Sequence, residues 1–246
     1  MVMSLPHGKL EHLSEYRKVQ SLAKRTMNYL RRVVRAGMSE KGVRTVAEEY
    51  MFQNSAEGFW YHGVGGFVLA GERSVLSMSG KEYIPSDYTL KETDLVTVDL
   101  SPRIGDFWGD YARTLVIEGG KALSESETTS DDARVQGWLD GLAFEKRLHS
   151  RFAERFRPGE SVSDAFARVE AEVQTGGYRN LDFNRNLGHT IEKAIGERRW
   201  FDEENREIIG DWPLFTFEPH IARPRERYGY KHENIYCRDG NRLIEL

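Results

Sequence analysis

Leu95-Val96-Thr97-Val98-Asp99-Leu100 and, ten residues on, Tyr111-Ala112-Arg113-Thr114-Leu115-Val116-Ile117 are the runs on which the reading of this chain turns. Both are dominated by β-branched and aliphatic residues, and Pro102, Gly105 and Asp106 lie between them. The pattern predicts a β-hairpin over 95–117, with its turn over 102–106 and its return strand over 111–117. A turn centred near Ile104-Gly105 sets Asp99 opposite Asp110, and directly opposed residues in such a pair have Cβ atoms about 4.5–5.5 Å apart. Two acids on a wet surface would show the same spacing. Here Val96, Val98, Leu100, Leu115 and Val116 favour burial, where two carboxylates repel unless a cation lies between them. The pair therefore predicts a metal ion.

Outward from the hairpin the pattern becomes helical. Tyr16, Val19, Ala23, Met27, Leu30, Val33 and Val34 recur at steps of three and four, with Ser14 as N-cap and Gly37 as stop. A second helix is predicted from Ser39, with Val43, Val46, Ala47, Tyr50 and Met51 inward, then a glycine-rich stretch and the strand Phe67-Val68-Leu69-Ala70. Residues 118–132 turn polar and read as a linker. Beyond it a long helix carries Val135, Trp138, Leu139, Leu142 and Phe152, and a further helix carries Val162, Ala165, Phe166, Val169 and Val173. The order helix, Gly-Ser break, helix, glycine-rich loop, strands thus occurs twice. Coincidence and an internal duplication account for this order equally well, and a duplicated α/β unit would put a site along the seam between halves.

Composition narrows the function classes. The 246 residues carry 35 basic and 39 acidic side chains, a net charge of −4, with no basic block of the kind that binds nucleic acid. Mean hydropathy is −0.61, and no uncharged apolar run is long enough for a membrane span. Residues 1–9 lack the apolar core of a signal peptide, and the single Cys237 has no internal partner, so a reducing cytoplasm is the predicted compartment. Cys237 has no patterned His or Asn beside it and reads as a structural thiol. Helix-borne zinc motifs, phosphate loops and nucleophile elbows do not occur.

Three segments extend the acidic pair. Asn186-Leu187-Gly188-His189 puts an imidazole after a glycine, Phe215-Thr216-Phe217-Glu218-Pro219 a carboxylate at a strand end, and Lys231-His232-Glu233-Asn234 another near the C-terminus. Four carboxylates and one imidazole form the hard O/N donor set that suits Mn, Fe, Co or Zn. The order Asp, Asp, Gly-His, Glu-Pro, Glu resembles that of the methionine aminopeptidase, prolidase and aminopeptidase P family of dinuclear metallopeptidases, over about residues 14–246. Asp110-Tyr111-Ala112-Arg113-Thr114 is similar to a run of the proline-peptidase branch, while the short region before the hairpin and Tyr61-His62-Gly63 are similar to the methionine branch.

The resemblance implies a pita-bread fold of class α/β (α+β), in which two pseudo-duplicated halves of helices and antiparallel sheet, about 1–118 and 133–246, enclose a central metal cleft in a single domain over 1–246. It implies two divalent ions, Mn, Co, Fe or Zn: Asp99 on one, Asp110 and Glu233 bridging both, His189 and Glu218 completing the second. The implied activity is hydrolysis of N-terminal peptide bonds in small peptides, Xaa-Pro peptides among them, with Glu218 shuttling the proton. No nucleic acid or membrane is an expected partner, and the sequence leaves a homodimer open. Where the family carries substrate-facing histidines, this chain has Ser77-Met78-Ser79-Gly80-Lys81 and Gly196. His220 and His62 are the candidate replacements, His220 because a strand continuing through 217–221 would put it on the same face as Glu218. Loss of both family histidines also leaves a second reading open, a pita-bread binding module without catalysis.

Overall fold

Two helices lead each half of the computed structural model, which describes residues 12–246. Helix α1 (Leu13–Val33) buries the predicted stripe, including Tyr16, Val19, Ala23, Met27 and Leu30. Helix α2 (Glu40–Gln53) begins just after Ser39, where the sequence predicted a helix start; Ser39 Oγ accepts from Gly42 N at 3.1 Å and caps it. In the second half α3 (Ala133–Glu154) is capped by Asp132, and α4 (Val162–Thr175) by Ser161, which accepts from Asp164 N. The expectations that concern residues 1–11 lie outside the described residues. No helix among the described residues is long and apolar enough to cross a membrane.

The strands are β1 (Gly58–Phe59), β2 (Gly66–Ala70), β3 (Asp94–Leu100), β4 (Pro102–Ile104), β5 (Phe107–Trp108), β6 (Tyr111–Glu118), β7 (Lys121–Ala122), β8 (Arg179–Asn180), β9 (Leu214–Phe217), β10 (His220–Ala222), β11 (Tyr230–Lys231), β12 (Asn234–Asp239) and β13 (Arg242–Glu245). All pairings are antiparallel. A four-stranded sheet runs β2-β3-β6-β7, and three-stranded sheets run β1-β4-β5, β11-β10-β8 and β13-β12-β9. One core joins α1 and α2 to the first sheet through Leu22, Met27, Met51, Val68 and Val98. The largest joins α3 and α4 to the C-terminal strands through Phe152, Val169, Phe215, Phe217 and Tyr236, and two smaller clusters lie around Trp60 and Trp108 and around Phe67 and Tyr83.

The predicted hairpin forms with a different register. Asp99 faces Ala112, not Asp110, and Leu100 faces Tyr111. The cause is the turn: Ile104 pairs with Phe107, so the centre lies between Gly105 (φ +58°) and Asp106, one residue beyond the expected position, and each partner moves by two. Asp110 stands outside the ladder, and Gln20 of α1 holds its backbone by donating to its oxygen at 2.7 Å and accepting from its N–H at 3.0 Å. The region 118–132 also begins differently from the expected linker. Gly119 and Gly120, both at positive φ, make a two-residue turn that folds Lys121–Ala122 back on β6, and only the remainder is irregular.

The halves meet where β6 lies beside residues 231–234. Glu233 N donates to Ala112 O at 3.0 Å, and Lys231 N to Thr114 Oγ1 at 2.8 Å. Arg113 fastens the seam from behind. Its guanidinium is buried and donates to Ala112 O, Glu233 O and Asn234 Oδ1 at 2.7–2.8 Å. Arg113→Met keeps most of the stem but strands these acceptors, which should cost about 3 kcal/mol. Urea denaturation should show this loss, and a variant as stable as the wild type would mean the seam does not depend on Arg113.

Candidate metal site

The seam carries acids from both halves to one point. Asp99, Asp110 and Glu233 each bring one oxygen to within 4.8 Å of the others. His189 arrives from the second half, its Nε2 3.5 Å from Asp110 Oδ2 and 3.7 Å from Glu218 Oε1. All five predicted ligands therefore converge. His189 Nδ1 lies 3.1 Å from Thr190 O; donation there leaves the Nε2 lone pair facing the carboxylates. Thr216 fixes both neighbours: its Oγ1 accepts from His189 N at 3.0 Å and lies 3.3 Å from Glu218 Oε1.

Two local features place these groups. Gly188 has φ +146°, and a Cβ there would stand 2.1 Å from the Thr216 carbonyl oxygen. Only glycine lets the His189 segment close on β9 this tightly. At Glu218-Pro219 the strand breaks: β9 pairs with β12, whereas β10 pairs with β8 and β11. The expected continuous strand over 217–221 is therefore absent, because proline has no N–H for a ladder and the chain changes sheets there.

That break decides where His220 goes. It does not share the Glu218 face; its buried ring sets Nε2 2.7 Å from Ser74 O, and burial pushes its pKa down to about 4. His62 sits in a loop at φ +54°, exposed, with its ring against Tyr61. Neither imidazole lines the cleft above the carboxylates. That cleft, ≈ 90 Å³, is walled by Trp60, Tyr61, Phe67, Trp200 and Arg198 among others. The Arg198 guanidinium lies 4.8–5.2 Å from the ring centres of Trp60, Tyr61 and Trp200.

The sequence reading missed Lys231. Its Nζ is 2.6 Å from Asp99 Oδ2, 3.1 Å from Glu218 Oε2 and 3.8 Å from Glu233 Oε2. The signal was available: Lys231 stands two residues before Glu233, on the same face of an extended segment. Electrostatics follow from this crowd. Burial, and then the neighbouring Asp99 charge, raise Asp110 to about 7. Burial raises Glu233 as well, reinforced by Asp110, Glu218 and Asp99. For Glu218 burial acts upward, but the charges of Lys231 and His189 outweigh it and the net shift is downward. Burial opposes the charge on Lys231, yet three carboxylates hold its pKa well above the ordinary value.

The residues fit a divalent ion. Both Glu233 oxygens are buried without a hydrogen-bond partner among the described residues, and an unpaired buried carboxylate is costly unless something positive meets it. The donor set is hard, mixed oxygen and nitrogen.

The fold superposes on the prolidase from Pyrococcus furiosus with a TM-score of 0.77, at 20% identity over 96% of this chain and 63% of that one. The X-Pro aminopeptidase from Thermotoga maritima MSB8 gives 0.76, at 18% identity over 99% of this chain and 62% of that one. A methionine aminopeptidase from Thermotoga maritima gives 0.73, at 15% identity over 96% of both chains. The architecture is thus the pita-bread fold. In sequence, residues 14–237 match the model of metallopeptidase family M24, and the chain belongs to that family. It is 22% identical to methionine aminopeptidase B of Synechocystis sp. over 187 residues, which span 74% of this chain and 62% of that protein.

Gly188→Ala tests the placement of His189. The clash with Thr216 O must move one of the two segments, so Mn²⁺ affinity measured by calorimetry should fall at least roughly tenfold, about 1.4 kcal/mol. Unchanged affinity would show that His189 is not needed at its present position.

Proposed function

We propose that the chain is a metal-dependent exopeptidase that cuts short peptides at the N-terminal bond. The observation that carries this reading is the convergence of Asp99, Asp110, His189 and Glu218 at one small cleft, with the buried Glu233 beside Asp99 and Asp110. A divalent ion held by these residues supplies Lewis acidity and lowers the pKa of water toward neutrality. Glu218 accepts the proton of the attacking water and returns it to the departing amine. Trp60 and Trp200 keep bulk water from the reacting groups, which strengthens each charge interaction inside.

The cleft favours small substrates. A volume of ≈ 90 Å³ is room for several water molecules, the scale of a small ligand group. Arg198 provides a cation at the aromatic wall that can meet the free carboxylate of a dipeptide. Xaa-Pro dipeptides are the first substrates to try, since Asp110-Tyr111-Ala112-Arg113-Thr114 is similar to the proline-peptidase run.

A binding module is the second reading, and Lys231 is the observation in its favour. An ammonium among three carboxylates offsets their charge without any metal.

One experiment separates the two. Chelator-stripped protein reloaded with Mn, Co, Fe or Zn should cleave short peptides, and Glu218→Gln should lower kcat by about 10²–10⁴-fold. If no ion supports cleavage of any member of a dipeptide and tripeptide library, the exopeptidase reading falls.

A further inference from the structure

Lys231 also bears on how many ions the site takes, an inference that rests on the metal reading above. Its ammonium divides the donors into two sets. On one side are Asp99, at 2.6 Å, and one oxygen each of Glu218 and Glu233. On the other are Asp110 and His189, which have no contact with Lys231, together with Glu218 Oε1, turned toward His189. Glu218 thus gives Oε2 to the ammonium and Oε1 to the imidazole side. Of the oxygen triad Asp99, Asp110 and Glu233, two members already have the lysine within 3.8 Å.

We infer that the Lys231 ammonium is the built-in second cation of this site, so that the chain holds a single divalent ion, on Asp110, His189, Glu218 and Glu233, while Asp99 serves as the partner of Lys231. Like charges at this range repel strongly in a buried setting, so a second ion on the Asp99 side requires the ammonium to leave. The backbone does not help it leave: Lys231 N and O are both engaged by the Thr114 hydroxyl. Leaving also gives up contacts to three carboxylates at once. Asp99, a ligand in the family pattern, becomes in this chain the group that positions Lys231.

Elemental analysis and electron paramagnetic resonance of the Mn²⁺-loaded protein test this without recourse to activity. Wild type should retain about one Mn²⁺ per chain after gel filtration, with the spectrum of an isolated ion, whereas Lys231→Met should retain about two, magnetically coupled. Lys231→Gln repeats the measurement should the methionine variant not fold. Asp99→Asn should keep the single ion, and His189→Ala should weaken it by roughly 100-fold or more. Two coupled ions in the wild type, or a single ion in both folded Lys231 variants, would overturn the inference and leave the exopeptidase reading intact. A wild type that binds no ion and cleaves no peptide removes the metal reading and this inference together. An ion that survives His189→Ala but not Asp99→Asn places it on the other side and also overturns the inference.

Discussion

Too much negative charge in too small a space is the condition that organises this protein. Asp99, Asp110, Glu218 and Glu233 come from four separate segments, and all are half-buried or buried. Such a cluster is stable only if positive charge enters it, from an ion, from a lysine or from both. His189 and Lys231 are the groups within reach. The surrounding structure serves to hold the acids together against their repulsion.

That work falls on the seam. Backbone bonds from Glu233 to Ala112 and from Lys231 to Thr114 join the halves on the line where the acids meet. Arg113 braces the same line from the opposite face of β6 and ties off Glu233 O and Asn234 Oδ1. Helices α1 to α4 pack on the strands in the two larger cores, and Gln20 of α1 reaches the site, where it fixes the backbone of Asp110 that no ladder holds. A buried polar backbone group always needs such a partner.

The metal family's signature is retained while its imidazole complement is not. The segment Ser77-Met78-Ser79-Gly80-Lys81 offers no ring nitrogen, and His220 is committed to Ser74 O behind the strand break at Pro219. Among the residues that line the cleft beside the carboxylates are the aromatic rings of Trp60, Tyr61 and Trp200 and the guanidinium of Arg198. Such a wall offers stacking faces and a positive charge, beside the neutral side chains of Ser77, Ser101, Asn184 and Asn186.

Sequence alone was enough for the helices, the main hairpin, the helix start at Ser39 and the five donors, because each is written in short-range periodicity or in a family pattern; the expected cap Ser14 instead lies within the first turn of α1, which begins at Leu13. Sequence could not set the register of the hairpin, since moving the turn centre by one residue shifts each partner by two and so changes which residues face each other without altering the apolar alternation. It also could not foresee the sheet switch at Glu218-Pro219, which separates His220 from the Glu218 face, because the partners β8, β11 and β12 lie far away in the chain. The place of Lys231 was likewise a tertiary decision. Its own segment puts it on the Glu233 face, but only the pairing of residues 231–234 with β6 brings Asp99 within 2.6 Å of its ammonium. Short-range physics chose the parts; long-range pairing chose which charges they had to share.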